Sequence, residues 1–198
     1  MMAVVTRHYI SLNVIITMPP PKDILDFWFS EPMRSKWFAS TPQLDAAIKA
    51  QFECVWDAAM HGELDDWQNN PDGCLALVII LDQFPLNMFR GTAKSFTSEA
   101  KGRDVARRAI DQVFDQKIDA AHLAFLYLPF MHSEDLADQD LSVQLFGTAG
   151  LENNLRFAQH HREIVRRFGR FPHRNIILGR ASTPEEIDHL NSTEAFKG

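Results

Sequence analysis

Cysteine is scarce in this chain: Cys54 and Cys74 are the only two in 198 residues. Two thiols without CxxC spacing build neither a disulfide framework nor a zinc site. They read as small buried side chains in a reducing compartment. Long apolar runs are missing as well. The longest, Cys74 to Leu81, has eight residues, against the roughly 20 that span a bilayer, so no membrane association is expected. Excess positive charge is also absent. The net charge is −6, which argues against a general nucleic-acid binder. No HExxH or comparable ligand spacing occurs, and neither a metal nor a cofactor is expected. The first residues, MMAVVTRHYISLNVIITM, are mildly apolar but interrupted by Arg7, His8 and Asn13, with no small-x-small cleavage site, so they do not read as a signal peptide. Residues 1–20 are expected to be a dispensable extension, Met18 an alternative start, and 21–198 one helical domain of the cytoplasm.

What is present is ordinary globular material: 45% hydrophobic residues, fifteen Phe and four Trp. Disorder needs low hydrophobicity, so most of the chain must fold. Pro19–Pro21 leads into a short aromatic helix, DILDFWF. Thr41 reads as an N-cap with Pro42 at the first helical position. Leu44, Ile48, Phe52, Val55 and Ala59 then recur at helical spacing, and His61-Gly62 ends that helix. The run from Cys74 to Phe84 fits a buried strand or a buried helix equally by periodicity. No partner strand is visible, so helix is preferred, ending at Phe84 because Pro85 disfavours helical geometry there. Thr97 or Ser98 caps a helix whose apolar face is Val105, Ala106, Ala109, Ile110, Val113 and Phe114. A further apolar helix runs from Asp119 to Leu128 and breaks at Pro129. Ser133 caps the next, with Glu134 and Asp135 in its first turn. A long helix covers Leu151 to Phe168, and Thr183-Pro184-Glu185-Glu186 is a capping box that opens the last. Eight or nine helices with short connections and no hairpin signals mean an all-α protein. No 34-residue tetratricopeptide signature is found.

One segment echoes another. Phe84-Pro85-Leu86-Asn87-Met88-Phe89-Arg90-Gly91 and Phe171-Pro172-His173-Arg174-Asn175, continuing to Gly179-Arg180, both carry Phe-Pro, then Asn, then Arg beside Gly. Each is expected to follow a helix. These segments carry a family likeness. LDQFPLNMFRGTA, LYLPFMHSEDLADQDLSVQLF and HREIVRRFGRFPHRNIILGR resemble the bacterial proteins grouped as domain of unknown function family 924, as do DILDFWF, Trp37-Phe38 and the Gly62…Leu64…Trp67 stretch. The likeness spans about residues 22–190. It implies a tetratricopeptide-like α–α superhelix and no settled function. Leu86 departs from the family pattern, which has Arg there, and so removes one cation from the first turn.

The candidate chemistry is polar and lies in three separated blocks. Asp82, near a helix end where the dipole disfavours a carboxylate, needs a compensating partner, expected to be an Arg; otherwise it is a structural ion pair. His132 and Glu134 follow a Pro break and read either as acid–base groups or as part of a helix cap, while Asp135 beside them counts with Asp82 among the candidate ligand-binding residues. His161 falls on the apolar face with Phe157, Ile164, Val165 and Phe168, as a satisfied core histidine or a general base. Residues 162–180 hold six arginines, no lysine and one acid, Glu163. Arg170, His173, Arg174, Asn175 and Arg180, with Asn87 and Arg90 of the first turn, are candidate anion ligands, since Arg presents a fork matched to carboxylate and phosphate oxygens. The opposing possibility is that these arginines pair internally with Asp82, Glu134 and Asp135.

Three functional readings remain. The first is a soluble protein binding a small anionic metabolite between helices, with acid–base chemistry by His132, Glu134 or His161. The second is a tetratricopeptide-like module binding a protein or peptide, by fold analogy. In the third, the polar blocks only specify the fold.

Overall fold

The computed structural model describes residues 18–37 and 39–193. Residues 1–17, most of the expected extension, lie outside the described residues, as does Phe38. Met18 already packs against the core and Pro20 takes the N-cap position of the first helix.

All regular structure among the described residues is helical. The helices are α1 (Pro21–Trp28), α2 (Glu31–Arg34), α3 (Pro42–Met60), α4 (Pro71–Val78), α5 (Phe84–Met88), α6 (Glu99–Asp111), α7 (Ala120–Met131), α8 (Leu136–Thr148), α9 (Glu152–Phe168) and α10 (Pro184–Leu190), with 3-10 turns between several of them. The cap signals hold at α3, where the Thr41 side chain accepts from Leu44 N–H. They hold also at α10, where Thr183 and Glu186 form the reciprocal box. The spacing in α3 buries Ile48, Phe52, Val55 and Ala59 as expected.

α4 runs through the middle of the molecule, packed by α1, α6 and α7, while α8 lies between α7 and α9. This central place explains the uniform apolar run: every residue from Cys74 to Leu81 is at most 1% exposed, so there is no polar face to impose a period. Around it Trp28 meets Phe84 and Phe125 edge to face, and the Trp37 indole N–H donates to Trp28 O. Cys74 is buried, and burial raises its thiol to about 11. Cys54, expected inside, is exposed.

Two proline expectations fail, for physical reasons. The helix does not stop at Phe84. A π-helical turn, Ile79–Gln83, joins α4 to α5, and Phe84 N–H bonds Ile79 O five residues back. The wider turn makes room for the Pro85 ring. Pro85 has no N–H to offer Leu81 O. The Ser98 hydroxyl donates to that carbonyl instead, at 2.5 Å, and accepts from the Trp56 indole at 3.0 Å. Ser98 does stand at the N-cap position of α6, but its side chain caps none of that helix's amides. Ser98→Ala would orphan two buried polar groups at once. It is expected to cost about 2 kcal/mol, read as a lowered urea midpoint with unchanged m-value. Pro129 likewise lies inside α7, which continues to Met131.

α6 ends at Asp111, earlier than its expected apolar face. Val113 then takes a left-handed φ of 57°, with its N–H on Ile110 O and Phe114 N–H on Ala109 O. That is a Schellman ending with a β-branched residue where glycine belongs. Val113 is 46% exposed, so it gives little burial in return. Val113→Gly is expected to stabilise the protein by about 1 kcal/mol, raising the thermal midpoint by about 2–4 °C.

Candidate functional site

The long central helix, the end of α7 and the turn after α9 converge. The π-turn carries Asp82 into the interior, mid-helix rather than at a helix end, with its side chain 0% exposed. Its partner is not an arginine. His132, the C-cap of α7, directs Nδ1 at both carboxyl oxygens at 3.0 Å, and Gln83 Nε2 donates to Oδ2 at 2.6 Å. A ring nitrogen facing two carboxyl oxygens must carry a proton, so Asp82 fixes which nitrogen is protonated and how the ring is turned. Burial pulls the His132 pKa down more than any other single cause. The Asp82 charge and hydrogen bond, with the Glu99 charge, outweigh it and leave the pKa raised.

Glu99, in the first turn of α6, is the second acid of the cluster. Burial raises its pKa, the Asp82 charge adds to that, and the Arg174 and His132 charges oppose it. Arg174 comes from the turn that follows α9, where Gly169 at φ 70° turns the chain into Phe171-Pro172. Its fork meets Glu99 with Nη1 and Nη2 each at 3.1 Å. Its guanidinium carbon lies 4.5 Å from the Phe96 ring and 4.9 Å from that of Phe171. Arg174 is 6% exposed, and its Nε has no hydrogen-bond acceptor among the described residues.

Two histidines adjoin. His161 is buried, its Nδ1–H on Phe157 O at 2.8 Å and its ring against Phe171. Burial, then the neighbouring histidine charges, bring its pKa down to about 3, against the opposing pull of the Phe157 carbonyl. Phe157, placed by spacing on the apolar face, is 55% exposed. His173 is brought to about 4 by burial and the Arg174 charge.

The other candidate arginines, Arg90, Arg170 and Arg180, are bound to carboxylates. Arg180 grips Glu134 in a fork at 2.7 and 2.9 Å, and Phe171 N–H adds a third bond to that carboxylate. Burial would raise Glu134; these donors hold it below the usual range. Arg170 grips Glu186 at 2.7 and 2.9 Å, and this bond more than any other cause brings Glu186 to about 2. Asn175 accepts from Arg180 and donates to Ser182 and Glu186. Asn87 and Arg90 belong to a different cluster, on Asp45 of α3 with Ser40. Asp135 is not a first-turn residue of its helix but the N-cap of α8, taking the amides of Ala137 and Asp138. Ser133, expected as that cap, donates to Asp138 instead.

The structure therefore joins Asp82, His132, Glu134, His161, His173, Arg174, Asn175 and Arg180 into one polar neighbourhood. Asn87, Arg90 and Asp135 serve elsewhere. Internal pairing of the arginines is real, although the acids are Glu99, Glu134 and Glu186 rather than Asp82 or Asp135. The two echoing turns do not share a backbone: Phe84 is helical at φ −58°, whereas Phe171 is extended at φ −90°, ψ 108°. What they share is chemistry, since each sets an Asn and an Arg on distant acids: Asn87 and Arg90 on Asp45, and Asn175 on Glu186 with Arg180 on Glu134. Glu99, Gln83 and Asp45 carried no local signal, and Glu186 signalled only its capping box. Glu99, Glu186 and Asp45 are surface-type residues whose roles depend on partners far along the chain, whereas Gln83 serves its own neighbour Asp82.

A network of paired acids, arginines and histidines within an all-α scaffold defines the kind of protein this is. Residues 24–194 match the model of a family described as bacterial protein of unknown function, DUF924. The chain belongs to that family. A solved structure of a protein of unknown function from Agrobacterium tumefaciens is similar at 42% identity and a TM-score of 0.82, covering 86% of this chain and 96% of that one. Among curated proteins nothing matches. No helix among the described residues is long and apolar enough to cross a membrane.

Proposed function

We propose that the protein binds a small anionic metabolite at the His132–Arg174 end of the network, with His132 as the group that moves a proton. The observation that carries this is Arg174 Nε, a buried guanidinium N–H without an acceptor among the described residues, on a residue whose charge acts directly on His132. An anionic oxygen is the acceptor such a donor takes most favourably. His132 suits proton exchange because Asp82 holds Nδ1 and orients the ring. Glu134 and His161 fit the proton-moving role less well: the first is held by three donors, and the second stays neutral at ordinary pH. Arg90, Arg170 and Arg180 serve the scaffold through their carboxylates. Acid–base chemistry on the bound molecule is the enzymatic form of this proposal.

The test is a panel of small carboxylates and phosphates titrated against protein with 13C-labelled histidine. At least one compound is expected to move the His132 signals, and Arg174→Lys, which keeps the charge but loses the fork and Nε, is expected to weaken it about tenfold. If every compound leaves His132 unmoved, the proposal is wrong. A second reading, a protein-interaction module, draws on Ile176, which is 93% exposed, and on Ile187 at 48%. It gains ground if Ile176→Asp abolishes association with a partner while the His132 response persists.

A further inference from the structure

The C-terminal end of α7 leaves carbonyls on either side of His132 in need of donors. One side chain supplies them. Gln139, in the second turn of α8, is 0% exposed. Its Nε2 donates to Met131 O at 2.8 Å and to Ser133 O at 2.7 Å, with Phe130 O at 3.4 Å. Met131 and Ser133 are the residues immediately before and after His132. The orientation of the amide is unambiguous, because the opposite one would set an oxygen against carbonyl oxygens. The arrangement is costly: Gln139 Oε1 is buried and has no hydrogen-bond partner among the described residues, where methionine would fill the same space with no polar atom to satisfy.

We infer that Gln139 is a positioning residue for His132: its amide brackets the backbone on both sides of the imidazole and so sets the angle at which the ring meets Asp82. The claim rests on the proposal that His132 is the working group of the site, and it adds a residue that touches neither the ring nor a ligand. Ring direction at a C-cap follows the backbone angles of that residue and its neighbours. Releasing the two carbonyls frees the segment to turn, and the imidazole then leaves the line of the Asp82 oxygens. The charged groups around the ring are Asp82 from the π-turn, Glu99 from α6 and Arg174 from the turn after α9, with His161 of α9 and His173 nearby.

The test is the titration of His132 in the ligand-free protein, followed by its ring Cε1–Hε1 signal. In Gln139→Met the midpoint is expected to fall by about one pH unit, a tenfold loss of proton affinity, with the His161 signal unchanged and far-ultraviolet circular dichroism as in the parent. A folded Gln139→Met protein with an unaltered His132 midpoint overturns the inference and leaves Gln139 as a helix cap. Should Gln139→Met not fold, the parent protein decides. The Gln139 side-chain amide protons are expected to shift along the His132 titration curve, and flat amide shifts through that range overturn the inference. No ligand enters either measurement, so a failed ligand screen and a failed titration remain distinguishable.

Discussion

Asp82→Ala is expected to be among the most damaging single substitutions in this protein, costing about 3–5 kcal/mol. Asp82 is fully buried, and three donor contacts end on it, two from His132 and one from Gln83. Removing its carboxyl leaves an imidazole that favours its charged form facing a cavity, and leaves the Gln83 amide without its acceptor. The charge of Glu99 remains, so His132 is not abandoned completely. Asp82→Asn preserves volume but presents an amide that cannot supply the charge. It is expected to keep the fold at a smaller cost and to lower the His132 titration midpoint. Urea unfolding of both variants, with the His132 ring signal followed in the second, checks this. A loss below about 1 kcal/mol for Asp82→Ala, the size of an exposed ion pair, would show that the pair is not what holds α7 to the central helix.

Acidification is expected to destabilise the protein through two buried histidines. His161 and His173, with pKa values near 3 and 4, stay neutral in the fold, while in the unfolded chain each takes up a proton near pH 6.5. Between those values the unfolded state binds more protons, so stability rises with pH. Their contribution is complete above pH 6.5 and is lost as pH falls toward 4 and 3. By pH 4.5 each histidine removes roughly 2–3 kcal/mol. His132 has the opposite sign. Its pKa is raised, so its contribution is complete below pH 6.5 and fades as pH climbs through its folded value. Maximum stability is therefore expected near pH 6.5, with the steeper fall on the acid side. Urea midpoints at pH 7.0, 5.5 and 4.5 test this, and His161→Leu should flatten the acid limb by about half. A stability that is level from pH 7 to 5 would contradict the burial argument for both rings.

Much of the helical framework was readable from local patterns. Thr41, Thr183 with Glu186, and Gly62 mark helix ends through bonds that form within a few residues, and apolar spacing in α3 picked out its buried face. Local rules failed where a distant group intervened. Pro85 reads as a stop, yet the helix passes it because a π-turn absorbs the ring and Ser98, thirteen residues on, takes the carbonyl that Pro85 cannot serve. Val113 reads as part of an apolar face and instead closes α6 in a left-handed conformation. Cys54 reads as buried and is exposed, since a lone thiol carries no directional signal.

The candidate site divides along the same line. Residue types and spacing were enough to single out Asp82, His132, Glu134, His161 and the GRFPHRN arginines as groups needing partners, because a charge or imidazole among apolar neighbours cannot stay unpaired. Composition and helical period were enough for an all-α chain. Partner choice was another matter. That Asp82 faces His132 rather than an arginine, that Arg174 spends its fork on Glu99, that Arg170 and Arg180 close on Glu186 and Glu134, and that Gln139 brackets His132 were all settled by how α6, α8 and α10 pack. A hydrogen bond or an ion pair depends on ångström distances between groups whose separation along the chain carries no information about their separation in space.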